Sequence, residues 1–195
     1  MLARSGALQR RLSSGSSSKG EWRVFLDLQC AYGQQCYEKQ LPMLKGEFGD
    51  RFDFKVSLTS LPFHVNAFTA HTAVKVVEDL KGDREKFIAT LYKHRDAYIN
   101  SATEDLSLME VRTKLARVAV DEGFFDHVGM FVGYLKGDLQ DGQGAIDAAW
   151  KEHQESIHKH VVESPTHLVN NTTRFEGPES LAWSLDDWKA FLPTK

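Results

Sequence analysis

Cysteine is scarce in this chain: two residues, Cys30 and Cys36, among 195. Two thiols cannot build the disulfide framework that replaces a core in small secreted domains, and a structural zinc site needs four clustered ligands that are not present here. Long apolar runs are missing as well. Lys or Glu interrupts every hydrophobic segment short of the roughly 20 residues needed to cross a bilayer, so no membrane span is expected. Acids are absent from the first 20 positions, where Arg4, Arg10, Arg11 and Lys19 are the only charges and Glu21 is the first acid.

That opening segment also holds six serines, with Leu2, Leu8 and Leu12 scattered among the arginines. Basic, serine-rich, acid-free composition is that of a mitochondrial presequence, although a disordered leader shares part of it. The expected division is a leader over 1–20 and one domain over 21–195. Removing the leader leaves 20 basic against 27 acidic residues, a balance of −7, which disfavours nucleic acid as a partner. The apolar content of 42% suits one buried domain. Asn170-Asn171-Thr172 and Asn171-Thr172-Thr173 fit the glycosylation pattern, but in a mitochondrial chain they read as turn residues.

The chain is organised around Trp22 to Gly33. Val24, Phe25 and Leu26 form a short strand-like run closed by Asp27, and a segment with few helix breakers begins just after Cys30. A strand therefore delivers one cysteine to a helix start. There, unpaired N–H groups and the helix dipole favour an anion, so the Cys30 thiol is expected to ionise below its free value of about 8.5.

Tyr37, Leu41, Leu44 and Phe48 continue the helix, which Pro42 must kink or divide. Phe52, Phe54 and Val56 alternate with Asp53 and Lys55 as a second strand. From Leu61 to His160 the pattern is helical, with Asn66, Asp83 and Ser107 as caps and about five apolar stripes, too many for a minimal layered unit. Strand chemistry returns at Thr166, Leu168 and Val169, turns at Asn170-Asn171, and passes through Arg174-Phe175-Glu176 to a short helix capped by Ser184 and ended by Pro193.

This order, together with Leu61-Pro62-Phe63-His64-Val65-Asn66-Ala67-Phe68 and Glu163-Ser164-Pro165-Thr166, resembles the DsbA-like branch of the thioredoxin superfamily over residues 22–192. The resemblance implies an α/β thioredoxin-like fold, a mixed four-stranded sheet with a helical insertion at about 64–160 between its second and third strands. It also implies a cis Ser164–Pro165 bond in a loop against Cys30, offering backbone groups to an extended peptide or to glutathione. On that basis Cys30 is the catalytic candidate, and Tyr32, Gly33, Ser164 and Pro165 are the candidates for binding substrate or glutathione.

One departure is central. The family's two-cysteine motif CxxC is here Cys30-Ala31-Tyr32-Gly33, so glycine replaces the resolving thiol. Cys36 does not substitute for it: six helical residues give about 9 Å of rise and about 240° of rotation, outside disulfide geometry.

The leading expectation is a mitochondrial monothiol oxidoreductase with glutathione as co-substrate, no tightly bound cofactor, and a protein thiol or disulfide as partner. Two other readings stand beside it: a non-catalytic thioredoxin-fold subunit of a mitochondrial assembly, with Cys30 a small apolar residue, and a kappa-class-like glutathione transferase. Cys36 reads as a core thiol, and Tyr32 either touches a ligand or covers the strand end. His64 and His71 are too far apart along a helix to share one metal, and His153, His158 and His160 read as a solvated face. The four tryptophans read as core or rim, and the Lys and Glu alternation from Lys75 to Arg95 as helix surface. No metal site is expected.

Overall fold

The computed structural model describes residues 19–139 and 142–192. The leader, apart from Lys19 and Gly20, and Pro193 lie outside the described residues. Strand β1 (Gly20–Leu26) leads through Cys30 into helix α1 (Ala31–Gln35), a π turn (Cys36–Gln40) and helix α2 (Leu41–Phe48). The first strand thus takes in the last residue of the expected leader. Pro42 divides the long helix as its chemistry requires: with no N–H for the Glu38 carbonyl, the turn before it widens, and the Leu41 N–H reaches back five residues to the Cys36 carbonyl.

Strand β2 (Phe52–Leu58) follows, then α3 (Ala67–Asp79), α4 (Arg84–Lys93), a 3-10 turn (Arg95–Ala97), α5 (Asn100–Thr103), α6 (Leu108–Asp121), α7 (Val128–Lys136) and α8 (Gly142–His158). The insertion therefore contains six α-helices among the described residues, α5 being a single turn between two of the expected stripes. Asp83 caps α4 through the Lys86 N–H, and Ser107 with Glu110 forms a capping box on α6. Strands β3 (Thr166–Val169) and β4 (Thr173–Glu176) make a hairpin whose turn residues Asn170 and Asn171 both have positive φ. A 3-10 turn (Pro178–Ala182) and helix α9 (Leu185–Phe191) complete the described fold.

The sheet order is β2-β1-β3-β4, with β1 parallel to β2 and the other pairs antiparallel. β1 is central and buried on both faces, which is why its apolar run is continuous rather than alternating. Trp22, Val24 and Leu26 enter the main core, while Phe25 meets Val161 and Leu168 in a small second cluster. Trp22 stacks on Phe54 at 5.0 Å and lies 5.3 Å from Trp188. Trp22 and Trp188 are fully buried and Trp150 is half exposed.

Two surface expectations need correction. Lys75 and Arg84 do not lie on a solvated helix face: they converge on Glu152 of α8 at 2.7 and 2.8 Å. Glu152 also accepts the Leu58 N–H at 2.7 Å and lies 3.3 Å from His71 Nε2. Burial opposes the Glu152 charge, but the His71 hydrogen bond and the two cations outweigh it and hold its carboxyl well below the usual range. His71 is kept neutral by burial. His153 is the second correction. It packs 5.7 Å from Trp150 and 6.3 Å from Phe68, and accepts the Ser60 N–H at 3.3 Å. Trp150 and His153, three apart, share a helix face; His158 and His160 are both exposed, as expected.

Candidate active site around Cys30

Asp27 determines how β1 ends. Fully buried, it turns the chain with both ends of the residue. One carboxylate oxygen accepts the Gln29 N–H at 2.7 Å and the other accepts the Leu61 N–H at 2.7 Å. Its carbonyl accepts the Cys30 N–H and the Tyr92 hydroxyl, each at 3.1 Å, and its N–H donates to Ser164 Oγ at 2.9 Å. A buried carboxylate needs such donors to offset lost hydration. His64 Nδ1 lies 3.1 Å from the same carboxylate. His64 precedes α3 in the loop after β2, so it faces Asp27 while His71, inside the helix, faces Glu152.

Cys30 sits at the N-cap of α1 with extended backbone. Its Sγ–H donates to the Ser164 carbonyl at 3.2 Å, and the Ser164–Pro165 bond is cis. The Pro165 carbonyl in turn accepts the Gly177 N–H at 2.9 Å, tying this loop to the far side of the hairpin. Cys30 is 7% exposed and lies at the floor of a cleft of about 620 Å³. Tyr32, Phe63 and Val162, at 52%, 61% and 64% exposure, line it as an apolar collar, and Arg95, Glu163 and His64 supply its charged or titratable groups.

Of the residues expected at the site, Cys30, Tyr32 and Ser164 line this cleft together. Gly33 and Pro165 are buried and do not line it. Gly33 is packed underneath: a Cβ there would lie 2.9 Å from the Asp27 carbonyl oxygen, 2.9 Å from Ser164 Oγ and 3.0 Å from Tyr92 Oη. The space where a side chain at Gly33 would begin is filled by oxygen atoms that hold β1, the cis-proline loop and α4 together.

Cys36 lies below, fully buried, and both thiols are free. It donates to Gln40 Oε1 at 3.3 Å and lies 3.7 Å from His167 Nε2. The hydrogen-bond network fixes the His167 tautomer. Trp22 Nε1–H only donates, so His167 Nδ1 accepts it at 3.2 Å, and Nε2–H donates to Gln40 Oε1 at 3.0 Å. Burial pushes His167 down to about 3, and burial together with the nearby Cys30 pushes the Cys36 thiol far up. Cys36 is a core thiol without nucleophilic character. A larger cleft of about 860 Å³ lies beside β2, away from Cys30. Its acids Glu152 and Glu155 are already paired with Arg84, Lys75 and Arg23.

This architecture has clear counterparts among solved structures. Wolbachia pipientis alpha-DsbA1 superposes with a TM-score of 0.62 at 14% identity, covering 90% of this chain and 86% of that one. BdbD from Bacillus subtilis gives 0.58 at 16%, covering 90% and 86%. Chlamydia trachomatis DsbA gives 0.57 at 16%, covering 89% and 83%. The fold is the DsbA-like thioredoxin fold. No protein-family model matches the sequence, and no curated protein matches it either.

Four site residues escape sequence reasoning in whole or in part: Asp27, Tyr92, Arg95 and His167. Asp27 was legible only as the end of a strand; the further clue was an acid directly after a three-residue apolar run, where a carboxylate must find donors. Tyr92, beside Leu91, carries only the signal of an apolar helix position. Arg95 merged into the charged helix surface. His167 stands between Thr166 and Leu168, and nothing in that spacing separates a core histidine from an exposed one.

Proposed function

We propose that this chain is a monothiol thiol–disulfide exchange protein that uses Cys30 and takes glutathione as co-substrate. The observation that carries the reading is the packing at Gly33: Cys30 lines the cleft, while a side chain at Gly33 would run into three oxygen atoms at 2.9 to 3.0 Å, which supports chemistry with one thiol. The DsbA-like solved structures support thiol–disulfide chemistry as the frame. In the proposed cycle the Cys30 thiolate attacks a disulfide sulfur of a glutathionylated protein. The Cys30–glutathione bond forms as the substrate bond breaks, and the protein leaves as a thiolate that takes up a proton. A second glutathione thiolate then attacks the glutathione sulfur of the mixed disulfide, releasing oxidised glutathione and restoring Cys30. The apolar collar of Tyr32, Phe63 and Val162 suits an extended, partly apolar polypeptide. The basic first segment places the protein, in this reading, in the mitochondrion.

The direct test incubates wild type, Cys30→Ser and Cys36→Ser with oxidised glutathione at neutral pH and reads intact mass. One glutathione is expected on wild type and Cys36→Ser and none on Cys30→Ser, with no oxidation of reduced, unfolded proteins by any of the three. A second reading is favoured by the burial of Cys30 and by its S–H being engaged with the Ser164 carbonyl: a binding module of a mitochondrial assembly without turnover. An unmodified Cys30 would select it.

A further inference from the structure

We infer that Arg95 is the carboxylate-recognition residue of the Cys30 cleft, so that the cleft selects an anionic small disulfide over a neutral one; this rests on the exchange reading above. Arg95 opens the 3-10 turn after α4 and reaches back from the insertion to the reactive turn. Its Nε donates to Gln34 Oε1 and its Nη1 to the Gln29 carbonyl, each at 3.0 Å. Gln29 precedes Cys30, and the Gln34 N–H bonds to the Cys30 carbonyl at 3.0 Å. The guanidinium is therefore pinned to the chain on both sides of Cys30, and it lines the same cleft.

Its charge has no buried counter-ion among the described residues: the one acid paired with it is Asp96, 3.5 Å away and with its side chain 89% exposed. Pairs this exposed are weak. Of the five guanidinium N–H groups three are used on the protein, one each from Nε and Nη1 and, at 3.5 Å to the exposed Asp96, one from Nη2, leaving one hydrogen on each of Nη1 and Nη2 for a ligand. A planar cation fixed by two bonds and holding spare parallel donors matches a carboxylate in the bidentate manner, which a lysine could not reproduce. The remaining charged groups narrow the ligand further. His64 is turned to Asp27, and Glu163, next to Ser164 in the chain, is the acid that lines the cleft. One fixed cation and one acid beside the nucleophile fit a small peptide-like thiol carrying both carboxylate and ammonium groups, the chemistry of glutathione.

The experiment compares second-order rate constants for Cys30 with oxidised glutathione and with the neutral 2-hydroxyethyl disulfide, in wild type, Arg95→Gln and Arg95→Lys. Calorimetry of S-methylglutathione binding to Cys30→Ala, with and without Arg95→Gln, runs alongside. The expected result is a fall of about tenfold in the ratio of the two rate constants for Arg95→Gln, the size of one lost charge-assisted hydrogen bond at a partly exposed site, with Arg95→Lys in between. S-methylglutathione affinity should fall by a similar factor. An unchanged ratio, or an equal fall with both disulfides, would show Arg95 to be a structural clamp on Gln29 and Gln34 and overturn the inference. If Cys30 reacts with neither disulfide while S-methylglutathione still binds through Arg95, the exchange reading fails and the recognition site stands. If there is neither reaction nor binding, both fall.

Discussion

Gly33 offers the sharpest physical test of the site. In a helical turn, replacing glycine by alanine normally stabilises by about 1 kcal/mol, because the unfolded chain loses freedom that the helix does not need. At Gly33 the added methyl would stand 2.9 Å from a backbone carbonyl, 2.9 Å from Ser164 Oγ and 3.0 Å from Tyr92 Oη. Those atoms cannot yield independently. The carbonyl carries the Cys30 N–H and the Tyr92 hydroxyl, and Ser164 Oγ carries the Asp27 N–H. Overpacking of this kind costs about 1 to 3 kcal/mol, and with three atoms at or inside 3.0 Å the upper part of that range applies, so against the gain of about 1 kcal/mol Gly33→Ala should lose up to about 2 kcal/mol net. Gly46 in α2 is the internal control, since nothing lies within 4 Å of a Cβ built there; Gly46→Ala should gain up to about 1 kcal/mol. Guanidinium denaturation should move the two midpoints in opposite directions at constant slope. Thermal midpoints should separate by several degrees, at about 2 to 4 °C per kcal/mol for a chain of this size. Gly33→Cys, with a longer side chain, should lose more than Gly33→Ala and gain no dithiol oxidase activity. If Gly33→Ala is as stabilised as Gly46→Ala, the packing account of Gly33 is wrong.

His167 links stability to pH. Its folded pKa of about 3 lies below the value of about 6.5 for a free histidine. Between those values the unfolded chain holds one more proton, so stability present above about pH 6.5 drains as pH falls, at roughly 1.4 kcal/mol per unit down to about pH 3. Denaturation midpoints at pH 7 and pH 4 should show this slope in wild type and a shallower one in His167→Gln; parallel slopes would refute it. For the leader, a reporter carrying residues 1–20 should enter mitochondria, and a diffuse cytosolic signal would sink that assignment.

The elements could be read from the sequence because they are set by local chemistry. Capping by Asp83, Ser107 and Ser184, the Asn170-Asn171 turn, and Pro42 dividing its helix each depend on a few neighbouring residues. The cis bond at Pro165 was accessible through resemblance rather than spacing. What escaped depends on contacts across large sequence separations. Asp27 meets Leu61, Tyr92 and Ser164; His167 meets Trp22 and Gln40; Glu152 gathers Leu58, His71, Lys75 and Arg84. Period and propensity put Glu152 on a helix, His167 on a strand and Asp27 at a strand end, and say nothing of their partners. Lys75 shows the consequence. On helical spacing alone a lysine on a charged stretch belongs in solvent, and only the approach of α8 turns it inward.

The packing at Gly33 extends beyond the one residue. Had glycine simply replaced cysteine in an otherwise unchanged site, the missing side chain would leave a void beside Cys30, and a dry void beneath a cleft costs stability in proportion to its volume. Instead Ser164 Oγ, Tyr92 Oη and the Asp27 carbonyl converge where the side chain would be, and each is hydrogen-bonded there. Ser164 takes part twice, its hydroxyl bonded to the Asp27 N–H below and its carbonyl to the Cys30 thiol in the cleft. The bond network that fills the space at Gly33 therefore also holds Cys30, which ties the environment of its thiol to the integrity of a buried cluster rather than to Ala31 and Tyr32 beside it. Perturbing Ser164 or Tyr92 should accordingly alter Cys30 reactivity and global stability together.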